Sequence, residues 1–200
     1  HLASKERLAY YATKFDTVET DSTFYRIPRV STVTEWKEQT PSEFIFALKF
    51  PQTITHVKKL KDCQEVTHVF IERVALLGEK LGPLLLQFPH EFTDLPLLRE
   101  FLQALPKEHR YAVEVRNEKL LNEEFYSILR GNNVALAWVE GPYLPQVNEV
   151  TSDFIYLRWE GDRRKINGTL GKVEADKTVQ IKGWADKIQP FLDDKTRVYG

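Results

Sequence analysis

Six short apolar runs in this sequence each end in a charged or amide residue, and this pattern constrains the fold more than any other feature. The runs are TVETD (17–21), FIFALK (44–49), PLLLQ (83–87), YAVEVR (111–116), VALAWVE (134–140) and FIYLRWE (154–160). Strands that are apolar on both faces are typical of parallel sheets covered by helices. Polar groups at the carboxyl ends of such strands build the active sites of β/α barrels. The pattern therefore predicts where a site lies.

Between these runs, apolar residues recur at helical spacing. The segments are 2–15, 62–80, 95–105, 125–129 and 181–191. Asp94 and Pro96 predict the start of one helix, Thr32 and Glu35 have capping-box spacing, and Gly131 is placed to end another helix. The last residues, TRVYG, predict a seventh strand.

Strict alternation of strand and helix implies a parallel sheet with right-handed crossovers. A doubly wound open sheet is the competing architecture, but none of these strands is followed by a glycine-rich phosphate loop. We therefore predict the α/β class and a TIM-like (β/α) barrel. Residues 1–200 are expected to form a single domain that is incomplete at both ends, with the first strand and the C-terminal end missing.

Charge and composition exclude several classes of protein. The net charge is −1, so no global field attracts nucleic acid or an anionic membrane. A single cysteine excludes an intramolecular disulfide and a cysteine-rich metal site. Because the sequence shows no apolar stretch of about 20 residues and no signal peptide, we predict a cytoplasmic protein without a membrane segment. The sequence makes no prediction about oligomeric state.

Alternation along the strands predicts which side chains share a face. Ala47 and Lys49 oppose Phe46 and Leu48, and the other runs behave similarly. The polar set is then expected to converge near one opening of the barrel and consists of Glu19, Lys49, Glu114, Arg116, Glu140, Arg158 and Glu160. Charges brought together there must pair with one another or face a wet pocket. The alternative is an ion-pair network that closes the barrel without any activity.

Several segments resemble the YecE-like family, also called domain of unknown function 72. They are FDTVETDSTFYRIP (15–28), TPSEFIFALKFPQTITHVKKL (40–60), LGPLLLQFP (81–89), RYAVEVRNEKLL (110–121) and FIYLRWEG (154–161). The resemblance implies a TIM-like barrel and no established activity. The polar positions it carries over are Glu19, Tyr25, Lys49, His56, Gln87, Glu114, Arg116 and Arg158. The chain departs from the family pattern at Asp21, Asn117, Lys119, Leu120, Glu140 and Glu160.

The candidate roles follow from side-chain chemistry. Glu19, Glu114, Lys49 and His56 are the predicted catalytic residues, since carboxylates and imidazole transfer protons and a lysine holds an anion. The predicted substrate-binding residues are Tyr25, Gln87, Arg116, Arg158, Glu140 and Glu160. No metal ligands are assigned: the cofactor is unknown, and a divalent ion is not favoured because His56 is the only well-placed histidine among the five.

Three hypotheses about function remain open from the sequence. The first is an enzyme, hydrolase- or lyase-like, that acts on a small polar, anionic ligand. The second is a protein that binds a phosphodiester or nucleic-acid backbone through the basic segments 55–59 and 161–172, which is less favoured. The third is a catalytically silent scaffold.

Overall fold

Strands and helices alternate along most of the chain, as the sequence predicts. The structure is a computed structural model that describes residues 3, 6–141, 146–161, 168, 171–194 and 196–200. The chain divides into two units, His1–Val115 and Arg116–Gly200, and each is described by itself. A single domain over residues 1–200 stays a prediction.

The first unit contains four strands. Its elements are α1 (Arg7–Tyr11), β1 (Thr17–Thr20), α2 (Ser22–Tyr25), α3 (Val30–Glu38), β2 (Ile45–Lys49), a π-helix (Thr53–Val57), α4 (Gln64–Ala75), a 3₁₀ turn (Gly78–Lys80), β3 (Leu81–Gln87), α5 (Leu95–Ala104) and β4 (Tyr111–Glu114). β1 pairs with β2, β2 with β3 and β3 with β4, and every pair is parallel.

The second unit contains three strands. Its elements are a 3₁₀ turn (Glu118–Leu120), α6 (Glu123–Gly131), β5 (Ala135–Glu140), β6 (Phe154–Trp159), α7 (Thr178–Asp193) and β7 (Arg197–Tyr199). β6 pairs in parallel with both β5 and β7. Helices lie between most successive strands, and the described residues between β5 and β6 contain none. Parallel pairing with helices between strands is the arrangement of an α/β TIM-like fold, so the predicted fold class is confirmed.

Helices cover one face of the sheet in the first unit. The ring of Phe46 in β2 stacks on Trp36 of α3, with 5.9 Å between ring centroids. Phe50, which follows β2, contacts Phe70 of α4 at 5.0 Å and Phe101 of α5 at 6.3 Å. Phe46, Phe50 and Phe70 are each at most 1% exposed. This packing buries the large apolar side chains that alternate with the polar ones along the strand, as the sequence predicts.

In the second unit, α7 packs on β5 through aromatic rings. Trp184, the buried residue of α7, lies with its ring 6.4 Å from that of Trp138. Phe191 approaches the same Trp138 ring edge-on at 5.7 Å. Trp159 of β6 meets Trp184 edge-on at 6.3 Å, so it faces this helix as its position in the alternation predicts.

Two of the predicted helix ends are wrong. α3 begins at Val30 with Arg29 as its N-cap, so Thr32 lies inside the helix and does not cap it. Gly131 is the last residue of α6, and the left-handed conformation after that helix belongs to Asn133, with φ of 52°. Asparagine tolerates this region of the map, and the Asn133 amide also exchanges hydrogen bonds with Asp153. The start of α5 after Asp94 is confirmed, since Asp94 accepts from the Leu97 amide at 3.0 Å.

Gly82 allows β2 and β3 to approach each other closely where their register shifts. The shift falls between the pairs Phe46–Leu81 and Leu48–Leu84. A Cβ at Gly82 would lie 2.5 Å from Cγ2 of Ile45 and 3.1 Å from the carbonyl oxygen of Phe46.

We expect Gly82→Ala to lower the free energy of unfolding by about 1–3 kcal/mol, because the added methyl group overpacks the strand contact. Urea unfolding followed by circular dichroism measures the change. Gly183→Ala, inside α7, is the control for a methyl group that meets nothing within 4 Å, and it should leave stability unchanged or raise it by up to about 1 kcal/mol. Equal stability of the Gly82→Ala variant and the wild type would contradict the close approach.

No helix among the described residues is both long enough and apolar enough to cross a membrane.

Candidate functional site

The pairing of β1 with β2 places two of the predicted residues on one face of the sheet. Glu19 is the register partner of Ala47. Ala47 and Lys49 are separated by one residue of β2, so their side chains point to the same face. Paired residues of neighbouring strands also share a face. Glu19 and Lys49 therefore lie on the face opposite to Phe46.

The next two strand pairs extend the same face. Lys49 is the register partner of Leu85, and Gln87 of β3 is the partner of Glu114 of β4. Leu85 and Gln87 alternate with Leu86 and share a face. The first unit thus brings four predicted site residues to one sheet face, at or near the carboxyl ends of their strands: Glu19, Lys49, Gln87 and Glu114.

Lys49 is a buried cation at the end of β2. The residue is 7% exposed, and its Nζ atom lies 3.2 Å from Oδ1 of Asp21. The same Nζ lies 4.7 Å from the centre of the Phe24 ring, which is the range of a cation–π contact. The Asp21 side chain is 68% exposed, so the ion pair has one buried and one solvated partner. Such a lysine is well placed to attract an anion that reaches the sheet face.

Thr23 fixes the main chain at Lys49, and Thr23 is not among the site residues predicted from the sequence. Its hydroxyl donates to the carbonyl oxygen of Lys49 at 2.8 Å and lies 3.1 Å from that of Thr20. Thr23 is fully buried in the four-residue helix α2. A helix this short has no periodic pattern. The only signal for Thr23 in the sequence was its place inside the segment 15–28, which resembles the YecE-like family. α2 therefore holds both the backbone of Lys49, through Thr23, and its side chain, through Phe24.

His56 lies on the π-helix that follows β2. Its ring approaches Phe24 edge-on at 5.0 Å, and its Nδ1 is 2.9 Å from the Thr55 hydroxyl. The structure thus brings His56 and Lys49 to the same Phe24 ring. Tyr25 is 71% exposed and packs edge-on against Phe24 at 5.3 Å.

The segment after the π-helix has an unusual backbone. Lys59, Leu60 and Asp62 all have positive φ, at 47°, 72° and 46°. Lys58 donates from its amine to the carbonyl oxygen of Asp62 at 2.7 Å. π-helical turns and strained backbones occur often at functional sites, so this feature agrees with a site near His56.

Gln87 and Glu114 form a buried pair. Nε2 of Gln87 donates to Oε1 of Glu114 at 2.7 Å, and the two residues are 7% and 2% exposed. A buried carboxylate is costly unless polar groups surround it. Gln87 therefore orients Glu114 as well as stabilising it.

In the second unit, two arginines share one carboxylate. Oε1 of Glu160 accepts from Nη1 of Arg158 at 2.9 Å and from Nη2 of Arg116 at 3.2 Å. β4 ends at Glu114, so the predicted strand alternation does not reach Arg116. The sequence predicts that these three residues share an opening with those of the first unit, and this stays a prediction.

Glu140 does not lie on the predicted face. In the pairing of β5 with β6, Glu140 is opposite Trp159 and Val139 is opposite Arg158. The Glu140 carboxylate accepts from Nε1 of Trp184 and lies 3.6 Å from the Lys177 amine. The expectation that Glu140 and Arg158 point to one opening is therefore wrong. Glu140 is paired with the residue next to Arg158, and successive residues of a strand point to opposite faces of the sheet.

Within the described part of the chain, no group of three or more histidine, cysteine or acidic side chains is placed to hold a metal ion. Cys63 is buried and donates from Sγ to the carbonyl oxygen of Leu60 at 3.2 Å. Burial raises the pKa of this thiol, which makes it a poor nucleophile at neutral pH. Of the second basic segment predicted from the sequence, residues 162–167, 169 and 170 lie outside the described residues.

Comparisons with known proteins agree on one family. A family model described as "Protein of unknown function DUF72" matches residues 1–200. UPF0759 protein YecE of Escherichia coli (strain K12) is 38% identical over 128 residues, which is 62% of this chain and 47% of that protein. The chain thus spans about half the length of the curated relatives it matches.

Two crystal structures have similar folds. A DUF72 family protein from Thermotoga maritima MSB8 matches with a TM-score of 0.82 and 25% identity, over 100% of this chain and 82% of that chain. A DUF72 family protein from Enterococcus faecalis V583 matches with a TM-score of 0.74 and 23% identity, over 96% of this chain and 84% of that chain. The second likeness concerns the fold alone.

Proposed function

The chain belongs to the DUF72 family, and from that premise we propose that its first unit carries the active site of an enzyme. The enzyme is hydrolase- or lyase-like and acts on a small polar substrate with an anionic group. The observation that carries this proposal is the shared sheet face. A buried lysine and a buried glutamate lie there near the carboxyl ends of parallel strands, where barrel enzymes bind their substrates.

Lys49 would hold the anionic group of the substrate. Its burial strengthens the electrostatic attraction, because fewer water molecules screen the charge. Its carboxylate partner, Asp21, is largely solvated, so an anion can compete for the amine. His56, on the same Phe24 ring, is the second group that would contact the anion or transfer a proton.

Glu114 and Glu19 would transfer protons. Glu114 is nearly inaccessible to bulk water and has a fixed orientation through Gln87, which suits a general acid or base. Glu19 lies on the same face and supplies a second carboxylate. Paired carboxylates are the groups that glycoside hydrolysis uses. The predicted substrate-binding roles of Arg116, Arg158 and Glu160, which lie in the second unit, stay predictions.

The test is turnover of three anionic p-nitrophenyl compounds: the phosphate ester, the sulfate ester and the glucuronide, which is a glycoside. We expect release of nitrophenolate from at least one, and we expect Lys49→Met to raise KM by about tenfold, the loss of about 1.4 kcal/mol of binding. Methionine keeps the length and apolar stem of the side chain. Lys61→Met, at an exposed position, is the matched control. An unchanged KM in Lys49→Met would contradict the role of this amine.

The other two hypotheses make different predictions in the same experiment. A protein that binds nucleic-acid backbone would turn over none of the three compounds, and its affinity for a single-stranded oligonucleotide would fall steeply with salt. A silent scaffold would show neither turnover nor binding.

A further inference from the structure

A cavity in the first unit is lined by residues outside the proposed active site. Its volume is about 340 Å³, and its polar lining consists of Ser22, Arg26, Arg29 and Thr32, with Trp36 forming an aromatic part of the wall. We propose that this cavity, here called the arginine cavity, binds a phosphate monoester, with the phosphoryl group on the two guanidinium groups and the organic part against Trp36.

The charge of the arginine cavity favours an anion. Two cations line it, and no carboxylate does. Among the described residues, neither Arg26 nor Arg29 forms an ion pair. Both arginines are exposed residues that line the same cavity, so an anion bound there can contact two cations.

The kinds of donor in the lining suit a phosphoryl group. A guanidinium presents several N–H donors in a planar fork that matches phosphate oxygens. Ser22 and Thr32 add two hydroxyl groups at the same wall. A phosphate monoester has three terminal oxygens to accept from such donors, whereas a carboxylate has only two.

Trp36 supplies a flat surface for the organic part. Its ring is half-buried and stacks on Phe46 with an interplanar angle of 17°, which fixes its orientation. Aromatic side chains bind rings and other apolar groups by stacking. The volume is near the lower end of the range of about 300–1,000 Å³ for small-molecule sites, so a compact ligand fits and a polymer does not.

The backbone between the two arginines is held in place. Pro28 restricts its own φ angle, and its carbonyl oxygen accepts from Nη1 of Arg73 of α4 at 2.8 Å. A wall that is fixed before the ligand arrives loses little entropy on binding.

The arginine cavity and the proposed active site use different residues of the same segment. Thr23 and Phe24 of α2 contact Lys49, whereas Ser22 and Arg26 line the cavity. The two proposals can therefore fail separately.

The test is calorimetric titration of the whole chain with phenyl phosphate and, separately, with inorganic phosphate. We expect phenyl phosphate to bind more tightly and to shift the indole N–H resonance of Trp36, assigned with Trp36→Phe. Arg26→Ala/Arg29→Ala should weaken binding by at least about tenfold, since hydrogen bonds to charged groups contribute about 1.5–3 kcal/mol each.

Lys61→Ala/Lys182→Ala removes the same charge at two exposed positions and should keep the wild-type affinity. An equal loss in both double variants would overturn the proposal, because general electrostatics would then explain the binding. Equal affinity for the two ligands, with no shift of the Trp36 resonance, would overturn the proposal that the organic part of the ligand lies against Trp36. Titration of Lys49→Met separates the sites: retained binding of phenyl phosphate supports the arginine cavity even if none of the p-nitrophenyl compounds is turned over, and lost binding overturns it.

Discussion

Replacing Lys80 with methionine is expected to lower the free energy of unfolding by about 3 kcal/mol. Lys80 is 8% exposed, and its amine donates to the carbonyl oxygens of Lys37 and Thr40 at 2.6 and 2.7 Å. The Thr40 hydroxyl lies 3.1 Å away from the same amine. These contacts join the C-terminal end of α3 to the start of β3. Methionine fills the space but leaves both carbonyl groups without their donor.

The effect of Lys80 on stability should also depend on pH. Burial lowers the pKa of its amine, the charge of Lys37 lowers it further, and Glu43 opposes the shift. Between that lowered pKa and the ordinary value of 10.5, the unfolded chain binds more protons at this position than the folded protein does. The free energy of unfolding of the wild type therefore rises with pH in this window, and that of Lys80→Met lacks this contribution.

Urea unfolding of both proteins at neutral pH and at about pH 10 measures the two effects together, since the ordinary lysine pKa lies near the upper value. We expect the difference in unfolding free energy to widen at the higher pH. Lys61→Met is an exposed control that should change stability little. A difference under about 1 kcal/mol at neutral pH would mean that water replaces the amine at the two carbonyl groups.

The comparison of Lys80 with Lys49 shows why burial alone does not identify a site. Both are buried, but Lys80 precedes β3 and its amine contacts three oxygen acceptors of the protein. Lys49 ends β2, and among the described residues its amine has one carboxylate partner, the exposed Asp21. Two features distinguish the two lysines: the position of each relative to its strand, and the number of protein acceptors that its amine contacts. We therefore expect Lys80 to stabilise the fold and propose Lys49 as the residue that binds a ligand.

The fold could be predicted from the sequence because each strand is an apolar run with a polar end. Such a run is typical of a strand that helices cover on a parallel sheet, so the run itself indicates the fold class. Local signals were less reliable. The start of α5 at Asp94 was predicted correctly, but Thr32 has the same capping chemistry and lies inside α3. The N-cap of α3 is Arg29, which makes no side-chain capping bond, so the capping motif did not mark the start of this helix.

The site could be predicted only in part, since a sequence gives the alternation of one strand but not its pairing. Lys49 of β2 and Glu114 of β4 lie on one face because both strands pair with β3, in the register that the structure shows. In β5, Trp138 and Val139 are both apolar, so the sequence did not show that Glu140 points toward α7. Thr23 was missed because its hydrogen bond to the Lys49 carbonyl spans 26 positions.

Replacing Glu114 with glutamine is expected to abolish most activity without loss of stability. The amide keeps the shape of the side chain and can still accept from Nε2 of Gln87 through its oxygen. It cannot transfer a proton at neutral pH, and general acid–base groups contribute about 10²–10⁴-fold to turnover. Removing a charge from a position that is 2% exposed also removes a desolvation cost. We therefore expect kcat to fall by about 10²-fold or more and the free energy of unfolding to stay within about 1 kcal/mol of the wild type or rise.

The measurements are kcat for the p-nitrophenyl compound that the wild type hydrolyses best and urea unfolding of the same preparation. Glu79→Gln, at an exposed position of the same unit, is the matched control and should change neither quantity. Wild-type kcat in Glu114→Gln would remove this carboxylate from the proposed mechanism. A large loss of stability would show instead that the negative charge itself holds the sheet face together, and Glu114 would then be a structural residue like Lys80.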